Sequence, residues 1–139
     1  MKKSTRDSVA VRFAVEIKDL TRVLRDAQFA ILYGSVISGA IRDDSDIDLA
    51  IMYLSPLSVE DQLRLTGEVS AVFHRDADLL DLRHAGPIIK MQVLRYGQPV
   101  IINDVRVFEE FRMYTPAEYF DYKIHRRPVE EAIRVGLSS

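Results

Sequence analysis

The sequence predicts an α/β (α+β) domain in which a mixed sheet carries helices on one face and a carboxylate site on the other. Three observations lead there. Short apolar runs of strand length alternate with longer stretches whose apolar residues recur at helical spacing. Glycine, proline and aspartate separate the runs. One run, Asp46 to Tyr53, alternates so that Ile47, Leu49, Ile51 and Tyr53 share one face and Asp46, Asp48 and Ala50 share the other.

Val9, Phe13, Ile17, Leu20 and Leu24 recur among charged residues and predict an amphipathic helix over about 7–26. Phe29-Ala-Ile-Leu-Tyr33 is a short apolar run ending at Gly34, the pattern of a buried strand. Residues 36–41 are expected as a short helix or turn and Asp43-Asp44-Ser45 as a loop, ahead of a second strand over Ile47 to Tyr53. Ser58-Val-Glu-Asp61 resembles a helix N-cap with acids in the first turn, opening a helix to about residue 74. Asp76 to Leu82 reads as a third strand. Pro87 starts a helix that stops at Gly97, and Gln98 to Ile102 follows as a short edge strand, where Pro99 is tolerated. Val105 to Tyr114 is expected to be helical. Thr115-Pro-Ala-Glu118 then reads as a capping box opening a separate helix to about His125, with Pro128 interrupting it before a last turn or two. A catalytic core over about 27–103 and C-terminal helices over about 104–135 make one domain of the 139 residues.

Composition narrows the function classes. Nineteen Lys and Arg against 21 Asp and Glu give a net charge of -2, which offers no general attraction to nucleic acid. With no cysteine there is neither a disulfide framework nor a thiolate metal site, which suits a reducing cytoplasm. No stretch approaches the ~20 apolar residues of a membrane helix, so no membrane partner is expected. His74, His84 and His125 are scattered without metal-ligand spacing, and surface or cap roles are expected for them.

The chemistry concentrates in Leu32 to Tyr53, where Gly34-Ser35 is followed after ten residues by Asp46-Ile47-Asp48. Carboxylates two apart on a strand point the same way and can share divalent cations, and Mg²⁺ is commonly held by one or two carboxylates together with substrate phosphates. A Gly-Ser turn adds close backbone approach, free N–H groups and a hydroxyl for phosphate oxygens. Asp-x-Asp alone is weak evidence; the combination with a preceding strand, Gly34-Ser35 and a connector holding Gly39 is specific.

This run resembles the signature of the polymerase-β-like nucleotidyltransferase superfamily, and its brevity resembles the minimal nucleotidyltransferase (MNT) family. The similarity continues through Asp78-Leu-Leu-Asp-Leu82, the Ile89 to Ile102 unit and the Phe111 to Lys123 segment, covering about residues 25–130. The resemblance implies the polymerase-β-like fold and Mg²⁺-dependent transfer of a nucleotidyl group from a triphosphate to a hydroxyl. It implies that Asp46, Asp48 and a third carboxylate bind the metal. Gly34 and Ser35, with Asp46 and Asp48, would bind the nucleotide. The third carboxylate is Asp78 or Asp81; these lie three apart and face opposite ways on a regular strand, and Asp78 occupies the family's usual place. Family members often carry arginines just after Gly-Ser, where this chain has Val36 and Ser38; Arg42 or Arg75 are the candidate replacements. The resemblance further implies an MNT-type antitoxin that transfers AMP from ATP to a tyrosine of a HEPN-domain ribonuclease toxin. The alternatives are a nucleotidyltransferase acting on a small-molecule hydroxyl, and a non-catalytic antitoxin that acts by binding alone.

Overall fold

The computed structural model describes residues 11–34 and 45–138. Its elements run α1 (Ala14–Val23), β1 (Phe29–Tyr33), β2 (Ile47–Met52), α2 (Val59–Phe73), β3 (Ala77–Asp81), α3 (Pro87–Tyr96), β4 (Gln98–Ile102) and α4 (Val105–Ser138). The four strands form one mixed sheet in the order β3-β2-β1-β4. β1 is antiparallel to both β2 and β4, and β2 is parallel to β3 across the α2 crossover. Pro99 lies on the edge strand β4, where a missing N–H costs no ladder bond on the open side. The expected segments 36–41 and 43–44, with Ser35, Val36, Ser38, Gly39 and Arg42, lie outside the described residues, as do Val9 and the first residues of the predicted N-terminal helix.

Local chemistry accounts for the helix ends. Ser58 caps α2, its Oγ accepting the Asp61 N–H at 3.1 Å. His74 closes the same helix in the left-handed conformation, φ 55, so this histidine has the cap role expected of it.

The alternation of β2 divides the core in two. Ile47, Leu49 and Ile51 face a cluster completed by Leu20 of α1, by Leu24 at its C-terminal cap and by Leu65, Val69 and Phe73 of α2. Ala50 and Met52 face the other way, into a cluster with Phe29, Ile31, Val93 of α3, and Phe108 and Phe111 of α4. The mixed sheet and α/β class are therefore as expected, but the second face is not bare. Phe29, with no exposed surface, lies 5.2 Å from the Phe108 ring and 5.1 Å from the Phe111 ring, which fastens α4 onto the sheet. Burying a side chain of this size stabilises by about 3 kcal/mol, with some further gain from the ring pairs. Among the described residues, Asp48 and Asp78 at one end of this face lie outside the apolar cluster.

The C-terminal segment departs from expectation. In place of separate helices broken at Thr115-Pro116 and Pro128, α4 runs unbroken over 34 residues with both prolines inside. Thr115 caps nothing; it is buried in mid-helix at 3% exposure, and Glu118 reaches across to Lys90 of α3 at 2.7 Å. A helix-interior proline costs about 3 kcal/mol through a lost hydrogen bond and a clash. Packing on both sides of Pro116 offsets it: Phe108 and Phe111 are buried before it, and the Lys90–Glu118 pair and the half-buried Tyr119 and Tyr122 follow. Past Tyr122 the described side chains of α4 are exposed on every side. Among the described residues no helix is long and apolar enough to cross a membrane.

Candidate active site

Strand register assembles the site. In the antiparallel β1–β2 pair Tyr33 stands opposite Asp48, and in the parallel β2–β3 pair Asp78 stands beside Asp48. Residues in register share a face, so Tyr33, Asp48 and Asp78 form a row across three strands on the α3 side of the sheet. Asp46 precedes β2 by one residue with the parity of Asp48 and is exposed. Its charge, after burial and the charge of Asp78, helps hold the Asp48 carboxyl above the usual range. The Tyr33 hydroxyl is pushed up to about 12, first by burial and then by Asp48 and Asp78. Among the described residues no lysine or arginine forms an ion pair with Asp46, Asp48 or Asp78. The row is thus a concentration of like charge, the electrostatic state that favours a cation.

Gly34 closes the row from β1. Its φ is +76, and a Cβ added to it would land on Oδ2 of Asp48. The turn after β1 therefore brings main chain against the carboxylate at a distance only glycine allows. Sequence spacing points to a close backbone approach toward phosphate at Gly34, not to this contact with Asp48, and it does not point to Tyr33; the pairing of 29–33 with 48–52 is the signal that finds both.

Asp78 and Asp81 separate cleanly. Asp81 pairs in register with Ile51, on the opposite face from Asp48, and is 5% exposed. Its two oxygens are occupied: Oδ2 accepts the Leu57 N–H at 2.9 Å and Oδ1 the Arg83 N–H at 3.0 Å. It pins the loop after β2 to the end of β3. Asp81→Ala leaves both N–H groups short of an acceptor, and a loss of about 2–3 kcal/mol in stability is expected in urea melts, with activity per folded molecule unchanged. A folded variant without activity overturns this assignment. Arg75 lies with its guanidinium 5.7 Å from the Phe13 ring, in the α1–α2 layer rather than beside the carboxylates.

Among the described residues no three acidic, histidine or cysteine side chains converge closely enough to enclose an ion by themselves. The donor set is still one that suits Mg²⁺, which keeps waters and takes one or two carboxylates plus phosphate oxygens instead of a full protein cage.

A mixed four-stranded sheet that sets Asp48 and Asp78 side by side on adjacent strands next to the Gly34 turn is an arrangement consistent with the nucleotidyltransferase class. The family profile described as "Polymerase beta, Nucleotidyltransferase" matches residues 16–106, and the chain belongs to that family. It is similar to the protein adenylyltransferase MntA of Shewanella oneidensis, with 30% identity over 83 residues, 57% of this chain and 60% of that protein. The chain thus matches about 60% of the length of that curated relative. A chain from a toxin–antitoxin structure with AMP-PNP superposes with TM-score 0.75 at 24% identity, covering 85% of this chain and 98% of that one. A chain from the complex of tri-AMPylated Shewanella oneidensis HEPN toxin with MNT antitoxin gives TM-score 0.71 at 22% identity, covering 87% and 98%. At these identities the structural likeness is one of fold.

Proposed function

We propose that this chain is an MNT-type antitoxin, a Mg²⁺-dependent nucleotidyltransferase that moves AMP from ATP to a tyrosine hydroxyl of a cognate HEPN ribonuclease toxin in the cytoplasm. The observation that carries the reading is the register pairing of Asp48 with Asp78 beside Gly34, in a chain of the nucleotidyltransferase family. Similarity to a protein named as an adenylyltransferase and to chains solved with a HEPN toxin supports the acceptor and the partner.

In this reading Asp46, Asp48 and Asp78 are the metal-binding and catalytic carboxylates. Gly34 and Ser35 bind the phosphates with Asp46 and Asp48. Bound Mg²⁺ supplies charge neutralisation on the triphosphate and on the departing pyrophosphate. The acceptor's phenolic oxygen forms a bond to the α-phosphorus as the bond from that phosphorus to the bridging oxygen breaks. Pyrophosphate leaves with that electron pair, and the phenolic proton passes to water. The chain's own contribution is placement. The sheet holds Asp48 and Asp78 on adjacent strands at fixed spacing, so the cost of bringing like charges together is met during folding. AMP on a toxin surface that must meet RNA phosphate adds bulk and negative charge there, which opposes RNA binding.

Mass spectrometry of the toxin after incubation with this chain, ATP and Mg²⁺ tests the proposal. The expected result is an adenylyl mass on a toxin tyrosine that disappears with Asp46→Ala. Neutralisation without a mass change, surviving that substitution, overturns transfer in favour of binding alone. Labelled AMP appearing on a small molecule instead overturns the protein acceptor.

A further inference from the structure

The last turn of α3 carries an aromatic residue whose position and exposure disagree. Ile89, Val93 and Tyr96 follow one another at i, i+4 and i+7, the spacing of a single helix face. Val93 is fully buried and Ile89 packs against the same cluster, so this is the face α3 turns to the sheet. Tyr96 continues the stripe yet is 60% exposed.

The sheet beneath explains the exposure. The end of α3 is located by Gly97, where an added Cβ would strike Ile31 Cγ2 and the Val93 carbonyl and approach the Leu32 carbonyl. Gln98 then pairs with Leu32, one residue before Tyr33. The helix therefore ends beside the row of Tyr33, Asp48 and Asp78, and among the described residues the apolar cluster that takes Ile89 and Val93 does not include Tyr96. Its main chain leads into β4, two strands from β2, which places it roughly 10 Å from Asp48 at ~4.8 Å per strand, with Asp78 one strand further. That is about the reach from the phosphates to the base of an extended nucleotide. The Arg95 guanidinium lies 6.0 Å from the Tyr96 ring centroid, adding a cation beside the ring.

We propose that Tyr96 is the stacking platform for the purine base of the nucleotide. The inference rests on the nucleotidyl-transfer reading and adds the part of the substrate that the carboxylate row does not touch. An exposed stripe residue beside an anionic row is left with its ring in solvent, whereas a base held by its phosphates brings an apolar face to it.

Binding in the presence of Mg²⁺ tests it, with ATP and inorganic tripolyphosphate as the two probes. Tyr96→Ala should weaken ATP about 10-fold and leave tripolyphosphate unchanged, since only ATP has a base to stack. Tyr96→Phe keeps the ring and should bind ATP like the parent chain. Equal ATP affinity in Tyr96→Ala overturns the platform. So does an equal loss for both probes, which a merely structural role would produce. If the parent chain binds neither probe, the nucleotide site itself fails and the platform falls with it; that result is distinct from the other two.

Discussion

Asp48→Asn is expected to lower the proposed adenylyl transfer on the order of 10³-fold and, in the absence of metal, to raise the melting temperature at neutral pH. The first effect follows from removing the central carboxylate of the row, the member paired in register with Asp78 and next in parity to Asp46. The second follows from its electrostatics. Burial, Asp78 and Asp46 raise the Asp48 pKa above the ordinary value of 3.8, so the folded chain holds this proton more tightly than the unfolded chain. Ionising Asp48 therefore destabilises the fold. That penalty is absent well below pH 3.8 and grows as pH rises through the raised folded pKa. Asparagine has the same shape and no charge, so the variant should melt higher than the parent at pH 7 and with the parent below the window. Mg²⁺ should raise the melting temperature of the parent more than that of the variant. Scanning fluorimetry between pH 3 and 8 reads both effects; a variant that still transfers AMP, or melts with the parent at every pH, contradicts the role given to Asp48.

Gly34→Ala is expected to abolish nucleotide binding and cost about 1–2 kcal/mol of stability. Two independent penalties act at this position. An L-residue is strained at φ +76, and its Cβ would occupy the place of Asp48 Oδ2, forcing the carboxylate or the β1 turn to move. The comparison is Gly67→Ala in the middle of α2, where an added Cβ meets nothing. There the same substitution should stabilise by up to ~1 kcal/mol with no loss of activity, because alanine is the better helix former. Equal behaviour of the two variants in titrations with ATP and in thermal melts would sink the argument that Gly34 is held by the site.

These expectations show how much of the molecule is legible in its residues. The four strands and the helices up to β4 follow from periods of two and 3.6, and from Ser58, Pro87 and Gly97 at helix ends. Gly34, Asp46 and Asp48 sit within 15 residues of one another, at the facing ends of two strands that pair antiparallel, so they are close in the chain as well as in the sheet. α4 was misread because Thr115-Pro-Ala-Glu118 satisfies the local rule for a helix start. That rule is outweighed by contacts from elsewhere, Phe29 against Phe108 and Phe111, and Lys90 against Glu118.

The sequence by itself therefore determined the class of fold and the strand that begins between Asp46 and Asp48. Each of these rests on neighbours in the chain, where backbone geometry alone decides which side chains share a face. Tertiary structure alone decided the rest. Parallel register between β2 and β3 set Asp78 beside Asp48 and turned Asp81 to the other face, where two backbone N–H groups hold it. Antiparallel register brought Tyr33 into the row, and the docking of α3 and α4 covered the second face except at its carboxylate end. Register and docking are set by contacts between segments far apart in the chain, which no local period encodes.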